Sequence, residues 1–178
     1  MARNFIGYKI TDTDAQQALK RMIDKGKDMR VPLMEIGETV LLVSTKARFQ
    51  TSTAPDGSKW AANSPVTISR YVLRHGGTRT KDKKLLSEKG ETLWANKKPL
   101  IGRSKRLGHS IAWQMIGANN LEIGSPMIYA WVQQFGVGKG EFGKNVPWGD
   151  IPARAFLGLS SEDSAAIVRI SIRFLAKL

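Results

Sequence analysis

The sequence predicts an α+β domain: a long helix in the N-terminal half packed on a small antiparallel β-sheet, with extended loops or arms and a C-terminal helix. Three observations predict it. Leu33, Ile36, Val40, Val43 and Ala47 recur at steps of three and four residues, an apolar stripe along one helical face. Ile111, Trp113 and Met115 alternate up to the turn Gly117-Ala118-Asn119-Asn120, and Leu121-Glu122-Ile123 alternates again beyond it, as in a β-hairpin. Ile167, Ile170, Phe174 and Leu178 return to helical spacing behind Ser160 and Ser161, either of which caps a final helix.

The remaining elements follow in order. Thr11-Asp12-Thr13-Asp14 supplies cap oxygens for a first short helix through Ala15, Ala18, Leu19, Met22 and Ile23, ended by Gly26. Pro32 suits the first turn of the long helix, which runs to Phe49 or Gln50. Glu35, Glu38, Lys46 and Arg48 fall largely off its apolar stripe and are expected to face water. Ala54-Pro55-Asp56-Gly57-Ser58 reads as a turn, after which Trp60 pins the loop to the core. Asn63-Ser64-Pro65 reads as a cap with Pro at the first helical position, opening a helix from about Val66 to Arg74. Pro126 precedes Tyr129, Val132 and Phe135, a short helix stopped by Gly136. Residues 136–150 hold five glycines and read as a loop. There is no internal repeat, and residues 1–178 read as one domain with a basic loop or arm at about 75–106.

Composition narrows the function classes. Apolar residues make up 42% of the 178, enough for a real core, and an ordinary 24% of charged residues argues against global disorder. Lys and Arg number 28 against 15 acids, a net +13, which draws the chain to polyanions: nucleic acid, anionic membrane or an acidic protein surface. The charge is concentrated. Twelve Lys and Arg between Arg70 and Ser110 face only Asp82, Glu88 and Glu91, so this stretch carries +9 of the total. The absence of cysteine excludes disulfides, thiolate metal sites and a Cys nucleophile, and fits assembly in a reducing cytosol. The N-terminus has no long apolar run, and no stretch reaches the roughly 20 apolar residues of a membrane span, so a soluble protein with no membrane partner is expected.

No catalytic constellation assembles. His75 and His109 lie in unrelated settings and lack a partner at metal spacing. Gly136-Val137-Gly138-Lys139-Gly140 lacks the Gly-Lys-Ser/Thr ending of a phosphate loop. Glu35 and Glu38 read as carboxylates on a solvated helical face, and no Gly-x-Ser-x-Gly elbow is present. No enzyme, cofactor or metal is expected. Trp60, Trp113 and Trp131 lie in apolar patterns and read as core, whereas Trp94 and Trp148 lie in polar stretches that suit subunit contacts. Base stacking by the tryptophans beside the basic segment is the competing reading.

The order of motifs says more than any one of them. Arg48-Phe49 after the apolar helix, then Pro55-Asp56-Gly57-Ser58-Lys59-Trp60 and Ser64-Pro65-Val66-Thr67, form a first block. Glu122-Ile123-Gly124 with Tyr129-Ala130-Trp131-Val132-Gln133-Gln134-Phe135-Gly136 is a second, and Ile151-Pro152-Ala153-Arg154-Ala155-Phe156-Leu157-Gly158-Leu159-Ser160 a third. Together, over residues 33 to 175, they resemble the phage virion morphogenesis family of tail-completion proteins from phages of the Mu and P2 type. The chain departs from that pattern at Ala155, where the family often has a second Pro, and in the long basic insert.

The resemblance implies a structural virion part, assembled in the host cytoplasm, that acts late, at the head-proximal end of the tail, as terminator or as head–tail adaptor. It implies a homo-oligomeric ring, a hexamer if it matches tail symmetry, among neighbouring neck and tail proteins; contact with phage DNA in the channel is an expectation of the basic segment's charge alone. A ring protomer needs two different complementary surfaces. Interface candidates are Trp94, Phe135, Trp148, Arg154, Phe156 and Leu157. Arg154 suits a bidentate contact with a carboxylate or carbonyls, or an ordinary intrachain salt bridge, and core packing suits Phe156 and Leu157 better. The basic contact segment comprises Arg79, Lys81, Lys83, Lys84, Lys97, Lys98, Arg103, Lys105 and Arg106. It is expected to project and to meet an acidic neighbouring ring or DNA. The alternative is a nucleic-acid-binding protein that uses the same 70–106 segment.

Overall fold

A computed structural model describes residues 13–79, 85–102, 104–141 and 150–176. Helix α1 (Thr13–Gly26) leads into one long helix, α2 (Arg30–Glu35), a π-helical stretch (Ile36–Leu41) and α3 (Leu42–Thr51), with no break between them. The hairpin β1 (Ala112–Ile116) and β2 (Asn120–Gly124) pairs antiparallel, with Trp113 opposite Ile123 and Met115 opposite Leu121. Its turn caps the long helix: the Met29 N–H donates to Ala118 O at 3.2 Å and to Asn119 Oδ1 at 3.1 Å. The long helix on a small antiparallel sheet is therefore present as expected, and the fold is α+β. The predicted strand starts later than expected, because α6 (Arg106–His109) occupies the residues just before it.

The π-helical stretch decides which residues of the long helix are inside. Leu42 N–H bonds to Gly37 O, five residues back, so one turn holds an extra residue. One residue is about 100° of rotation in an α-helix, so the inward face moves by one position beyond that turn. A regular helix would carry Ile36 to Val40, Val43 and Ala47. Here the buried positions are Ile36, Gly37, Leu41, Thr45, Arg48 and Phe49, while Val43 and Ala47 are exposed. The expectation that Arg48 faces water is corrected by this shift.

Two apolar clusters result. The first gathers Phe49, Trp60, Leu107, Ile111, Ala130 and Phe156, with the Phe49 ring 5.4 Å from Trp60 edge-on and 5.5 Å from Phe156. The second joins Ile36 and Leu41 to Ile170 of α8 (Ser161–Ala176), and Ile123 packs against both clusters. Ser160 caps α8 in a reciprocal box. Asp163 N–H donates to Ser160 Oγ at 3.1 Å, and Ser160 N–H to Asp163 Oδ2 at 3.0 Å.

Of the segment expected to project as a loop or arm, residues 80–84 and Arg103 lie outside the described residues. Its described part contains a helix, α5 (Glu88–Ala95), which packs chiefly on α4 (Pro65–Arg74). Ser64 caps α4 with Pro65 at its first position, as the sequence indicates, and Ser87 caps α5 through Gly90 N–H at 3.2 Å. Trp94 thus sits on a helix and not in a loop, a correction that follows from the Ser87 cap and from Glu88 and Glu91 at the positive end of the α5 dipole.

Gly37 is where the hairpin meets the long helix. A Cβ there would lie 2.8 Å from Trp113 Cδ2 and 2.9 Å from Leu121 Cδ1, too close for either side chain to stay in place. Gly37→Val is expected to lower stability by about 1–3 kcal/mol through overpacking, which exceeds the ~1 kcal/mol gained by removing a helical glycine. Chemical denaturation measures it, and an unchanged or raised midpoint would contradict this packing.

Candidate interaction site

Residues 151–159 run extended and join neither helix nor sheet, so side chains must satisfy their backbone groups. Ile151 exchanges two hydrogen bonds with Val137, at 2.9 and 2.8 Å, and Arg154 N–H donates to Gln133 O at 2.7 Å. The Gln134 amide serves three groups: its Oε1 accepts from Phe156 and Leu157 N–H, and its Nε2 donates to Leu157 O, each at 2.9 Å. Trp60 Nε1 donates to Ala155 O at 2.8 Å. Arg48 Nη1 donates to Phe156 O at 3.0 Å and Gly158 O at 2.9 Å, while its Nη2 meets Asp163 Oδ2 at 2.6 Å. Arg48 and Asp163 are both buried, so this ion pair lies out of water. Gly158 has φ of 145°, and a Cβ there would sit 2.7 Å from Pro55 Cγ, so the Asp56-Gly57 turn closes directly over the segment.

The sequence-selected interface residues separate into two groups. Arg154 is 7% exposed and held inside the protomer, donating from Nε to Ala61 O at 2.7 Å and from Nη2 to Ala62 O at 2.9 Å. Its contact is with carbonyls of its own chain, and burial lowers its guanidinium pKa from the ordinary value. Phe156 is fully buried and Leu157 packs on the first cluster. Phe135, the last residue of α7 (Ala130–Phe135), is by contrast 74% exposed. Ile128 just before α7 is 89% exposed, and Tyr129 and Trp131 are about half exposed. Trp131 is therefore not core, because Ala130 is the residue of α7 that turns into the first cluster. Trp148 lies outside the described residues.

The basic residues form a second surface. Arg79, Lys98, Lys105 and Arg106 are exposed and Lys97 is half-buried, while Lys81, Lys83, Lys84 and Arg103 lie outside the described residues. Lys97 Nζ donates to Lys98 O and Ile101 O and lies 4.9 Å from the Tyr71 ring centre, and burial pulls its pKa below the usual lysine value. Lys98 Nζ donates to Gln50 O at 2.8 Å, and Arg79 Nε to Leu86 O at 3.1 Å. Among the described residues, ion pairs join Asp24 to Lys27, Asp28 to Arg30, Arg48 to Asp163 and Glu35 to Arg173, and none of them involves 70–106. Also among the described residues, no group of three or more His, Cys, Asp or Glu is placed to hold a metal, and no helix is long and apolar enough to cross a membrane.

The profile of the phage virion morphogenesis family matches residues 10–176. The chain belongs to that family. Comparisons with curated proteins and with solved structures gave no match. A virion morphogenesis protein is a structural or assembly part of the particle, and this family is not a known class of enzyme. In this member, the motifs of the family resemblance are the residues of the network around 151–160: Arg48 and Trp60, Gln133 and Gln134, and the segment itself.

Sequence reasoning missed Arg48, Gln134 and Asp163 as a set. The extra residue in the π-helical turn breaks the periodicity that would have flagged Arg48. The one available signal was Ser160-x-x-Asp163, a capping-box spacing that marks Asp163 as a fixed acceptor. Replacing either partner, Arg48→Met or Asp163→Asn, is expected to cost about 3–5 kcal/mol because the other charge or its donors are left buried. The double replacement is expected to cost less than the sum of the two, with denaturant midpoints as the measurement. Additive losses would mean that the two residues do not act as a pair.

Proposed function

We propose that the protein is a ring-forming tail-completion component at the head-proximal end of a phage tail, a terminator or head–tail adaptor, acting through subunit contacts and not through catalysis. The observation that carries this reading is the presence of large apolar side chains left open to solvent on separate elements. Ile128 just before α7 and Phe135 at its end stand beside the first cluster. Leu19, Met22 and Ile23 on α1, and Val168 and Ile172 on α8, are exposed elsewhere. Large apolar side chains grouped on a surface mark sites of association. Unlike apolar surfaces suit a head-to-tail contact that closes into a ring, and a hexamer matches tail symmetry.

The rigid 151–160 network supports the same reading, since it fixes α7 through Gln133 and Gln134 and so holds one face in a set orientation. A second reading, a nucleic-acid-binding protein, draws on the +9 of the 70–106 stretch. It requires tight DNA binding by the protomer with a steep loss as salt rises.

Light scattering on the purified protein is expected to give a defined closed oligomer with weak DNA binding. Ile128→Glu with Phe135→Glu, both highly exposed, is expected to leave the circular dichroism spectrum unchanged and to yield monomer. An oligomer unaffected by the pair would remove α7 from the interface. A monomeric wild type that binds DNA tightly would replace the reading with the second one.

A further inference from the structure

A groove of about 890 Å³ opens between α4 and residues 97–107, and Tyr129 and Gln133 continue its wall toward the α7 face. Three cations line it from separate parts of the chain: Arg70 on α4, Lys97 after α5, and Arg106 at the start of α6. None of these three is in an ion pair with a carboxylate among the described residues. Arg154 also borders the groove, but its donors are already taken by Ala61 O, Ala62 O and Gln133. Lys97 Nζ is held by Lys98 O, Ile101 O and the Tyr71 ring, so Arg70 and Arg106, both exposed, are the cations open to an outside anion, and the volume lies in the range of ligand sites.

The rest of the lining selects the kind of anion. Val66 and Leu100 supply apolar wall beside the cations. Asp150, which accepts a hydrogen bond from Lys139 N–H at 2.7 Å, sets a carboxylate at one edge. A nucleic-acid track would call for aromatic platforms and an unbroken run of positive potential. Here a single aromatic, Tyr129, and a carboxylate take their place. A lining that mixes apolar and cationic side chains fits a polypeptide that carries both apolar and acidic residues. A second copy of this chain, at +13, is a poor source of acidic sequence.

We propose that this groove receives an extended segment of a neighbouring virion protein that carries both acidic and apolar residues. The proposal rests on the reading that the protein works through contacts with other virion proteins. Light scattering on the same samples reports on that reading separately, because the groove is complete within one protomer.

The test uses the full-length protein and a short fluorescein-labelled peptide alternating glutamate with leucine, followed by fluorescence anisotropy at physiological salt. A labelled DNA duplex is the second probe. Arg70→Ala with Arg106→Ala removes two exposed groove charges, and Arg74→Ala with Lys89→Ala removes two exposed charges outside it. All four positions are exposed, so circular dichroism is expected to match the wild type for both variants. The groove variant is expected to lose about tenfold in peptide affinity, about 1.4 kcal/mol, with little loss in the outside variant. Equal losses in the two variants would overturn the proposal, since diffuse charge would then explain the binding. So would absence of peptide binding, or DNA binding that is tighter than peptide binding and falls only in the groove variant.

Discussion

Arg48 is the constraint around which the protomer is organised. A guanidinium 6% exposed to water is tolerable only if its charge is paired. Asp163 meets the charge, and the carbonyls of Phe156 and Gly158 take the remaining Nη1 donation. These contacts tie the long helix to the extended 151–159 segment and to the first turn of α8. The π-helical turn at Ile36–Leu41 makes this possible, because without its extra residue Arg48 would rotate toward solvent and Ala47 would replace it. Gly37, in the same turn, admits Trp113 and Leu121 of the hairpin. One irregular turn therefore sets both the polar network and the packing of the sheet.

This arrangement separates scaffold from contact surface. The motifs that mark the chain as a member of the phage virion morphogenesis family are mostly internal: Trp60, Gln134, Arg154 and Phe156 hold one another and the backbone between them. Phe135, within the second block, and Ile128, just before it, are by contrast exposed. Ile128 and Phe135 stand on a helix whose other side is locked by Gln133 and Gln134, and the cationic groove opens next to it. Precise placement of a few exposed side chains by a rigid interior is what repeated, identical subunit contacts require. In the proposed ring, the buried motif residues would set the angle of the contact face.

The sequence makes regular features legible and hides the exception. Ser64-Pro65, the alternation around Gly117 and the caps at Ser160 give α4, the hairpin and α8 close to their actual positions, because local geometry decides them. The 3.6-residue period correctly finds the long helix but assigns Arg48 to water, since periodicity has no memory of an extra residue in one turn. Trp131 is misplaced for a related reason: on a six-residue helix, the small Ala130 fills the core position that a pattern reading gives to its large neighbour. The groove is invisible in sequence because Arg70, Lys97, Arg106 and Tyr129 are far apart in the chain and meet only in the folded molecule.

In the proposed function, the α7 face is a subunit contact in a ring at the head-proximal end of the tail. Electron cryomicroscopy of the intact particle tests it most directly. The account expects a closed ring of copies at that end, with Ile128 and Phe135 of each protomer buried against the next. A particle without this protein, or one in which Ile128 and Phe135 face solvent in every copy, would contradict it.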